Sequence, residues 1–240
     1  MPDTFKLPPQ LDIYYQGKTK DVLKDPDNGD VYLLSKDDAT GANGVFDPGS
    51  NTVGGSIEGK GKLALRISTH YFKLLEAAGI ATHFIAADIN SGLMKVRPVD
   101  VPPLEFILRY EAAGSMARRF DLESGLVFDP PYVEVTLKND EQGDPLISER
   151  LCILKGYLLP GEYEQCIDIL MRTGEVLRKE LDSIDLKLID FKIELGFDAD
   201  RTIYLADEVT PDIWRVQDSN GLIPNQIDCA NLIRERITSI

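Results

Sequence analysis

The chain has 240 residues, 43% of them hydrophobic, so it can bury a sizeable core as one large domain or two smaller ones. Its formal net charge of −14 gives no overall positive field, so we expect it to bind neither nucleic acid nor an anionic membrane. The first residues lack a secretory signal pattern and no long apolar run occurs, which predicts a cytoplasmic protein without a membrane span. The three cysteines are widely spaced and odd in number, which argues against a disulfide framework or a zinc site.

The predicted elements mix helices and strands without internal repeats. A first helix is predicted from about Lys62 to Ala78 and a second from about Pro160 to Leu181, each with an apolar stripe that indicates a core face. The proline-rich segment 96–105 predicts a stiff connector between an N-terminal lobe, 1–97, and a C-terminal lobe, 98–240. Strands are predicted near 11–16, 29–36, 82–87, 92–97, 104–110, 132–138, 186–197 and 201–208.

The first motif with chemical potential follows the first predicted strand. If the strand continues through residues 15–20, Lys18 and Lys20 share a face, and Gly17 allows a ligand to approach the backbone closely. Two ammonium groups on one face suit a polyphosphate. The motif lacks the spacing of a P-loop or of a dinucleotide fold, and an exposed turn with solvated lysines is the alternative.

Two segments rich in glycine and small polar residues, 36–44 and 54–61, are predicted to be loops. The second leads into the first helix, whose free N–H groups, together with Lys60 and Lys62, could hold an anion. Flexible surface loops are the alternative interpretation.

Residues 104–119 predict a strand that ends in a short helix. Glu105 and Arg109 fall on one strand face, and Ser115 is the predicted N-cap of the helix. An arginine fork beside a helix start is a sensible receptor for phosphate or carboxylate. A structural pair between Glu105 and Arg109 is the alternative.

Residues 137–145 place a lysine and two aspartates at a strand end and a turn: Lys138, Asp140 and Asp144. Turn chemistry alone explains the Gly-Asp-Pro sequence in this segment.

The stretch 190–208 predicts a β-hairpin with a charged face and an apolar face. A four-residue turn at 198–201 would set Lys192 opposite Asp207, with Glu194 diagonal to Asp207 and with Glu208 on the other face. Two carboxylates and a lysine on one sheet face suit Mg²⁺ and the phosphates that it carries. A solvated sheet face with cross-strand ion pairs is the alternative.

Six motifs in this order resemble the SAICAR synthetase family, phosphoribosylaminoimidazole-succinocarboxamide synthases, over about residues 12–218. The motifs are GKTK at 17–20, GKGKLALRIS at 59–68, EFILRYEAAGS at 105–115, LKND and DP within 137–145, DFKIELG at 190–196 and ADEVTPDIWR at 206–215.

The resemblance implies an α/β (α+β) fold with two lobes, antiparallel sheets and an ATP cleft between the lobes. It implies an ATP-dependent and Mg²⁺-dependent ligase of purine biosynthesis that joins carboxyaminoimidazole ribonucleotide to L-aspartate and releases ADP and phosphate. These two small molecules are the partners that it implies. The sequence does not determine the oligomeric state, and a homo-oligomer stays open.

Carried over by motif, the resemblance also implies residue roles. The catalytic residues would be Lys192, Lys138 and Asp212. Lys18 and Lys20 would bind ATP, and Glu194 and Asp207 would bind ATP through Mg²⁺. The substrate-binding residues would be Arg109, Ser115, Asp140, Asp144, Asp212 and Arg215.

The chain departs from the family pattern at Tyr110, at Leu195, at 213–214 and in its C-terminal segment. These departures leave two other hypotheses beside the ligase. One is a divergent ligase or phosphotransferase that keeps ATP and Mg²⁺ but acts on another carboxylate or amine. The other is a nucleotide-binding regulatory protein with little catalysis.

Overall fold

The computed structural model describes residues 7–42, 45–46, 52–223 and 225–237. Within these residues the strands form two main antiparallel sheets and one small sheet. The strands are β1 (Asp12–Gln16), β2 (Lys20–Lys24), β3 (Val31–Ser35), β4 (Asp38–Ala42), β5 (Val45–Phe46), β6 (Val53–Ser56), β7 (Phe84–Asp88), β8 (Leu93–Val96), β9 (Leu104–Glu111), β10 (Val127–Leu137), β11 (Lys187–Phe197), β12 (Ile203–Ala206), β13 (Trp214–Asp218) and β14 (Gly221–Leu222). The helices are α1 (Lys60–Ala77), α2 (Gly114–Phe120), α3 (Glu149–Leu154), α4 (Glu162–Asp182) and α5 (Gln226–Arg236).

The first main sheet has the order β1-β2-β3-β8-β7, and the second has the order β10-β9-β11-β13-β14, with β12 paired to the far end of β11. The small sheet has the order β5-β4-β6. The mixed fold with antiparallel sheets is confirmed, whereas the division into lobes at residue 97 stays a prediction.

One hydrophobic core runs through both halves of the chain, from Leu33 and Met94 to Leu108 and Phe191. Helix α4 packs against β9 and β11, and α1 packs against β7, α4 and α5. A core that joins both main sheets holds them at a fixed spacing, which a site built from both sheets requires.

Both predicted helices are confirmed to within two residues at each end. The prediction of loops at 36–44 and 54–61 was wrong where these segments form β4 and β6. The two strands approach so closely that a Cβ on Gly54 would lie 2.9 Å from the backbone of Gly41. The glycines here therefore serve close strand packing, whereas their density in the sequence had indicated loops.

The strand does not continue through residues 15–20, and a turn, which was the alternative, forms there. Strand β1 ends at Gln16, and the backbone N–H of Gly17 donates to the carbonyl of Lys20 at 2.9 Å, which closes a tight turn. Lys18 lies in this turn and Lys20 begins β2. A Cβ on Gly17 would lie 2.5 Å from that carbonyl oxygen, so the turn needs glycine.

The hairpin forms, but its predicted register was wrong by one residue. Phe197 pairs with Ile203 and Glu194 with Ala206, so the loop has five residues, 198–202, and Asp207 lies beyond the ladder. The Asp198 carboxylate accepts hydrogen bonds from the N–H groups of Asp200 and Thr202, which stabilises the longer loop.

Among the described residues, no helix is long and apolar enough to cross a membrane. Cys152, Cys166 and Cys229 are free and buried.

Candidate active site

A polar cavity of about 470 Å³ lies between the two main sheets. The first sheet contributes the β1–β2 turn and β2, and the second contributes β9, β11 and the segments that follow β10 and β12. A second pocket of about 200 Å³ adjoins it. The two spaces share four lining residues: Glu105, Lys192, Asp212 and Ile213.

Lys20 is the central cation of the larger cavity. Its Nζ lies 3.2 Å from Asp207 Oδ1 and also contacts Glu208. Burial works to lower the pKa of Lys20, but Asp207 and Glu208 outweigh it and raise that pKa above its usual value. Lys20 is therefore a permanent positive charge in this cavity.

On the opposite wall, Lys138 Nζ lies 2.5 Å from Glu194 Oε1, and Lys192 Nζ lies 2.7 Å from Glu105 Oε1. Burial and the neighbouring Asp207 raise the pKa of Glu194. Burial alone would also raise the pKa of Asp207, but Lys20 and Lys138 hold it below its usual range. The pKa values of Glu194 and Asp207 move in opposite directions, which indicates that the two carboxylates interact electrostatically.

The segment after β12 is held in an unusual backbone conformation. Asp207 has a left-handed φ of 63°, which turns the chain so that Asp207 and Glu208 both line the cavity. The prediction that Glu208 points away was therefore wrong. Thr210 Oγ1 donates to Glu208 at 2.8 Å, and Ser68 Oγ on α1 accepts from the N–H of Val209 at 3.0 Å. These bonds offset the cost of the left-handed residue.

Lys18 lies at the rim of the larger cavity, 2.5 Å from Asp140 Oδ2. Their side chains are 39% and 44% exposed, so water screens the pair and it contributes little to stability. Both groups are free to turn towards a ligand.

The smaller pocket is built around two arginines. Arg109 on β9 is buried and donates to Glu134 and to Asp190, each at 2.6 Å. Arg215 on β13 donates to Asp190 at 3.0 Å. The pair of Glu105 with Arg109, which was the alternative interpretation, does not form, because strands β10 and β11 supply these nearer carboxylates to Arg109.

Ser115 and Asp144 also line the smaller pocket. The prediction of Ser115 as the N-cap of α2 was wrong, because the N-cap is Ala113 and Gly114 begins the helix. The Asp144 carboxylate accepts from the N–H of Asn139 at 2.8 Å and so shapes the turn that carries Asp140.

Asp212 stands where the two pockets meet, and its Oδ2 accepts from Lys60 Nζ at 2.6 Å. Both side chains are at least nine-tenths buried. The Lys60 ammonium group is paired with Asp212, and anion binding by Lys60 at the start of α1 stays a prediction. Burial and Glu208 raise the pKa of Asp212, and Lys60 opposes that rise.

The carboxylates of Glu194 and Asp207 fit a hard divalent cation. Mg²⁺ prefers oxygen ligands and usually takes one or two carboxylates together with phosphate oxygens. Among the residues that the structure describes, no three His, Cys, Asp or Glu side chains converge as a ready cage. The donor set therefore suits a cation that arrives with a phosphate ligand and does not suit a structural metal.

Every residue predicted for the site lines one of the two pockets. Of the two bulky departures, Tyr110 lies outside both pockets and packs on α4 with its hydroxyl beside Gly174. Trp214 lines the smaller pocket, and its ring contacts Tyr71 edge-on with the ring centroids 5.1 Å apart. The sequence interpretation assigned no role in the site to three residues that the structure brings there, namely Glu105, Glu134 and Glu208. It considered Lys60 only as a contact for an anion at the start of α1. Glu105 and Glu134 alternate with apolar neighbours on β9 and β10. This pattern predicts which face of the strand is polar, but it does not predict a functional site.

Two sheets that enclose lysines, carboxylates and a pair of arginines define an enzyme of the class that handles phosphate-bearing and carboxylate-bearing substrates. A family model described as SAICAR synthetase matches residues 13–232. The chain belongs to the SAICAR synthetase family.

Individual relatives agree with the family match. Phosphoribosylaminoimidazole-succinocarboxamide synthase of Clostridium tetani is 41% identical over 230 residues, which cover 94% of this chain and 100% of the relative. The crystal structure of this enzyme from Ehrlichia chaffeensis has a TM-score of 0.84 at 28% identity and covers 95% of this chain and 99% of its own. A SAICAR synthetase (Type-2) solved in complex with ADP has a TM-score of 0.83 at 31% identity and covers 96% and 98%.

Proposed function

We propose that this chain carries out the reaction of its family in the two adjoining pockets, with ATP in the larger and the imidazole ribonucleotide in the smaller. The activity is that of a phosphoribosylaminoimidazole-succinocarboxamide synthase of purine biosynthesis. The assignment of the two pockets rests on one observation, that they adjoin and share lining residues. The two substrates must lie next to each other, because a phosphoryl group passes from one to the other.

The larger pocket suits ATP because its lysines come from both sheets. Lys18 and Lys20 approach from the β1–β2 turn, and Lys138 and Lys192 approach from the opposite wall. Each of these lysines is paired with a carboxylate. When ATP binds, each lysine would exchange that carboxylate for a phosphate oxygen, at little cost in desolvation. The relative solved with ADP supports a nucleotide in this fold.

Glu194 and Asp207 are the residues that would hold Mg²⁺, and both face the larger pocket. When bound, the cation neutralises phosphate charge during phosphoryl transfer. Lys138 and Lys20, now salt-bridged to these carboxylates, would be released to the phosphates.

The smaller pocket suits the ribonucleotide phosphate and the carboxylate of the imidazole. Arg109 and Arg215 both contact Asp190, which fixes their guanidinium groups at one end of the pocket. Ser115, Asp140 and Asp144 complete the proposed substrate set. Asp212 and Lys192 line both pockets and so stand where the reacting groups would meet.

The chemistry explains why the site needs so much positive charge. A carboxylate is a poor acyl donor, so its oxygen first attacks the γ-phosphorus of ATP to form an acyl phosphate and ADP. The amine of L-aspartate then attacks the acyl carbon, phosphate leaves, and the amine loses a proton. Alignment and charge neutralisation, which lysines and arginines provide, dominate the first step.

The test is ADP formation with ATP, Mg²⁺, carboxyaminoimidazole ribonucleotide and L-aspartate, repeated with each component omitted. We expect turnover only with all four. ADP release that does not depend on L-aspartate, or nucleotide binding without turnover, would contradict the proposal.

A further inference from the structure

Lys60 is a buried lysine that lines neither pocket, yet it reaches the site. Its side chain is 6% exposed, and its Nζ donates to Asp212 Oδ2 at 2.6 Å across the boundary between α1 and the segment before β13. It is therefore placed to act on Asp212 and is too remote to touch a substrate.

Asp212 uses one of its two oxygens for this contact. Its other oxygen, Oδ1, is buried and has no hydrogen-bond partner among the described residues, although Asp212 lines both pockets. An unpaired carboxylate oxygen in a buried setting is costly. Such an oxygen at the meeting point of two substrate pockets indicates a partner on a bound molecule.

The backbone on either side of Lys60 is held in place by hydrogen bonds and close packing. The Asp37 carboxylate accepts from the N–H groups of Gly59 at 3.1 Å and of Gly61 at 2.9 Å, on either side of Lys60. A Cβ on Gly61 would lie 2.8 Å from the carbonyl oxygen of Ser35, so the start of α1 sits directly on the end of β3. The first sheet thus fixes the position of the Lys60 backbone.

The charges around Asp212 come from several elements. Lys60 on α1 and Lys20 on β2 favour its ionised form, whereas burial and Glu208 oppose that form. The thiol of Cys229 on α5 also faces it, but burial raises the pKa of that thiol to about 12, so it stays neutral. Lys60 is the cation that touches Asp212 directly.

We propose that Lys60 is a positioning residue of the ligase reaction: it holds one oxygen of Asp212, so that the other oxygen meets the reacting substrates. The inference rests on the proposed function. It gives Lys60, the first residue of α1, a role other than anion binding.

The test compares Lys60→Met with Lys73→Met, a matched change at an exposed position of the same helix that lies outside both pockets. For Lys60→Met we expect kcat to fall by roughly 100-fold, as misplaced catalytic groups do. The KM for ATP should stay within about threefold, because Lys60 does not line the nucleotide pocket. The acid limb of the profile of kcat/KM against pH should move to higher pH, because removing the cation leaves burial and Glu208 to favour protonated Asp212. Lys73→Met should match the wild type.

Lys60→Arg, which keeps the charge, should recover part of the rate, and Lys60→Gln should not. If Lys60→Met does not fold, as judged by circular dichroism and ADP binding, this second pair carries the test. A wild-type rate in Lys60→Met or Lys60→Gln, or a lowered rate with an unmoved acid limb, would overturn the inference. Absence of turnover in the wild type would instead overturn the proposed function.

Discussion

At the residue scale, the candidate site is a set of matched charges. The cavity lysines Lys18, Lys20, Lys138 and Lys192 each meet a carboxylate. This pairing lets a protein with a net charge of −14 keep cations in a cleft before any anionic substrate arrives. It also means that single substitutions should separate function from stability.

Glu194→Gln should abolish metal-dependent turnover, with a loss of at least about 100-fold in kcat. The fold should be retained, because burial and Asp207 raise the pKa of Glu194, so that its ionised form already opposes folding at neutral pH. We expect the free energy of unfolding at pH 7 to stay within about 1 kcal/mol of the wild type or to rise.

The measurement is turnover as a function of Mg²⁺ concentration, together with urea unfolding. Glu123→Gln, an exposed acid outside both pockets, is the control. Wild-type turnover in Glu194→Gln would refute its role as a metal ligand.

Gly114→Ala should weaken the ribonucleotide site. A Cβ there would lie 2.6 Å from Arg215 Nη2, and the residue has a left-handed φ of 59°, so the guanidinium group must move. We expect the KM for the imidazole ribonucleotide to rise about tenfold, the equivalent of about 1.4 kcal/mol, with ADP affinity unchanged.

Gly125→Ala is the control that separates backbone strain from the contact with Arg215. Gly125 also has a left-handed φ, of 87°, but a Cβ there meets nothing within 4 Å. Both variants carry the backbone cost of about 1–2 kcal/mol, and only Gly114→Ala should change the KM. Equal KM values in the two variants would remove Arg215 from the proposed substrate site.

At the element scale, the site depends on how closely helices and strands approach one another. Helix α4 crosses β9 and β11 at Gly174, where a Cβ would lie 2.5 Å from the Tyr110 hydroxyl and 2.7 Å from Leu108. This contact sets the depth at which β9 and β11 present Arg109, Lys192 and Glu194 on their other face.

Gly174→Ala should therefore destabilise the protein, although glycine to alanine in a helix interior usually stabilises by about 0.5–1 kcal/mol. We expect a loss of about 1–3 kcal/mol, because the neighbours of the added methyl group are packed core side chains. Urea unfolding of Gly174→Ala measures it. Glu175→Ala, at an exposed position of α4, should be stabilising or neutral. A gain of stability in Gly174→Ala would show that the helix can shift.

At the scale of the whole molecule, the seam between the two main sheets carries a buried neutral histidine. The backbone N–H of His83 donates to the carbonyl of Leu205 in β12, and the His83 ring centroid lies 5.3 Å from that of Phe72. Burial lowers the pKa of His83 to about 4. The unfolded chain binds a proton at a pKa of about 6.5, well above the folded value. The contribution of neutral His83 to stability is therefore complete above about pH 6.5 and is lost as the pH falls towards 4.

We predict that this residue alone costs the wild type about 2–3 kcal/mol of unfolding free energy between pH 7 and pH 4.5. His83→Gln should reduce the pH dependence by that amount, whatever its stability at pH 7. Urea unfolding of both proteins in the same buffers at the two pH values measures the difference. Parallel pH profiles would show that His83 is protonated without opening the seam.

Some features of this protein follow from local sequence alone. The apolar stripes of α1 and α4 and the alternation in β11 are repeated signals with a fixed period, so they predicted the elements and the faces. The six short motifs and their order predicted the family, and the family match over residues 13–232 confirms it.

Only the tertiary structure decided which groups meet. The hairpin register depended on a five-residue loop stabilised by Asp198, the glycines of β4 and β6 depended on a strand that faces them, and Lys60 found Asp212 152 residues away. A periodic pattern reports which side of an element is buried, because that depends on the nearest few residues. The partner of a buried charge depends on the packing of distant segments. The sequence therefore named most of the charged residues that line the site, while the fold decided the contacts between them.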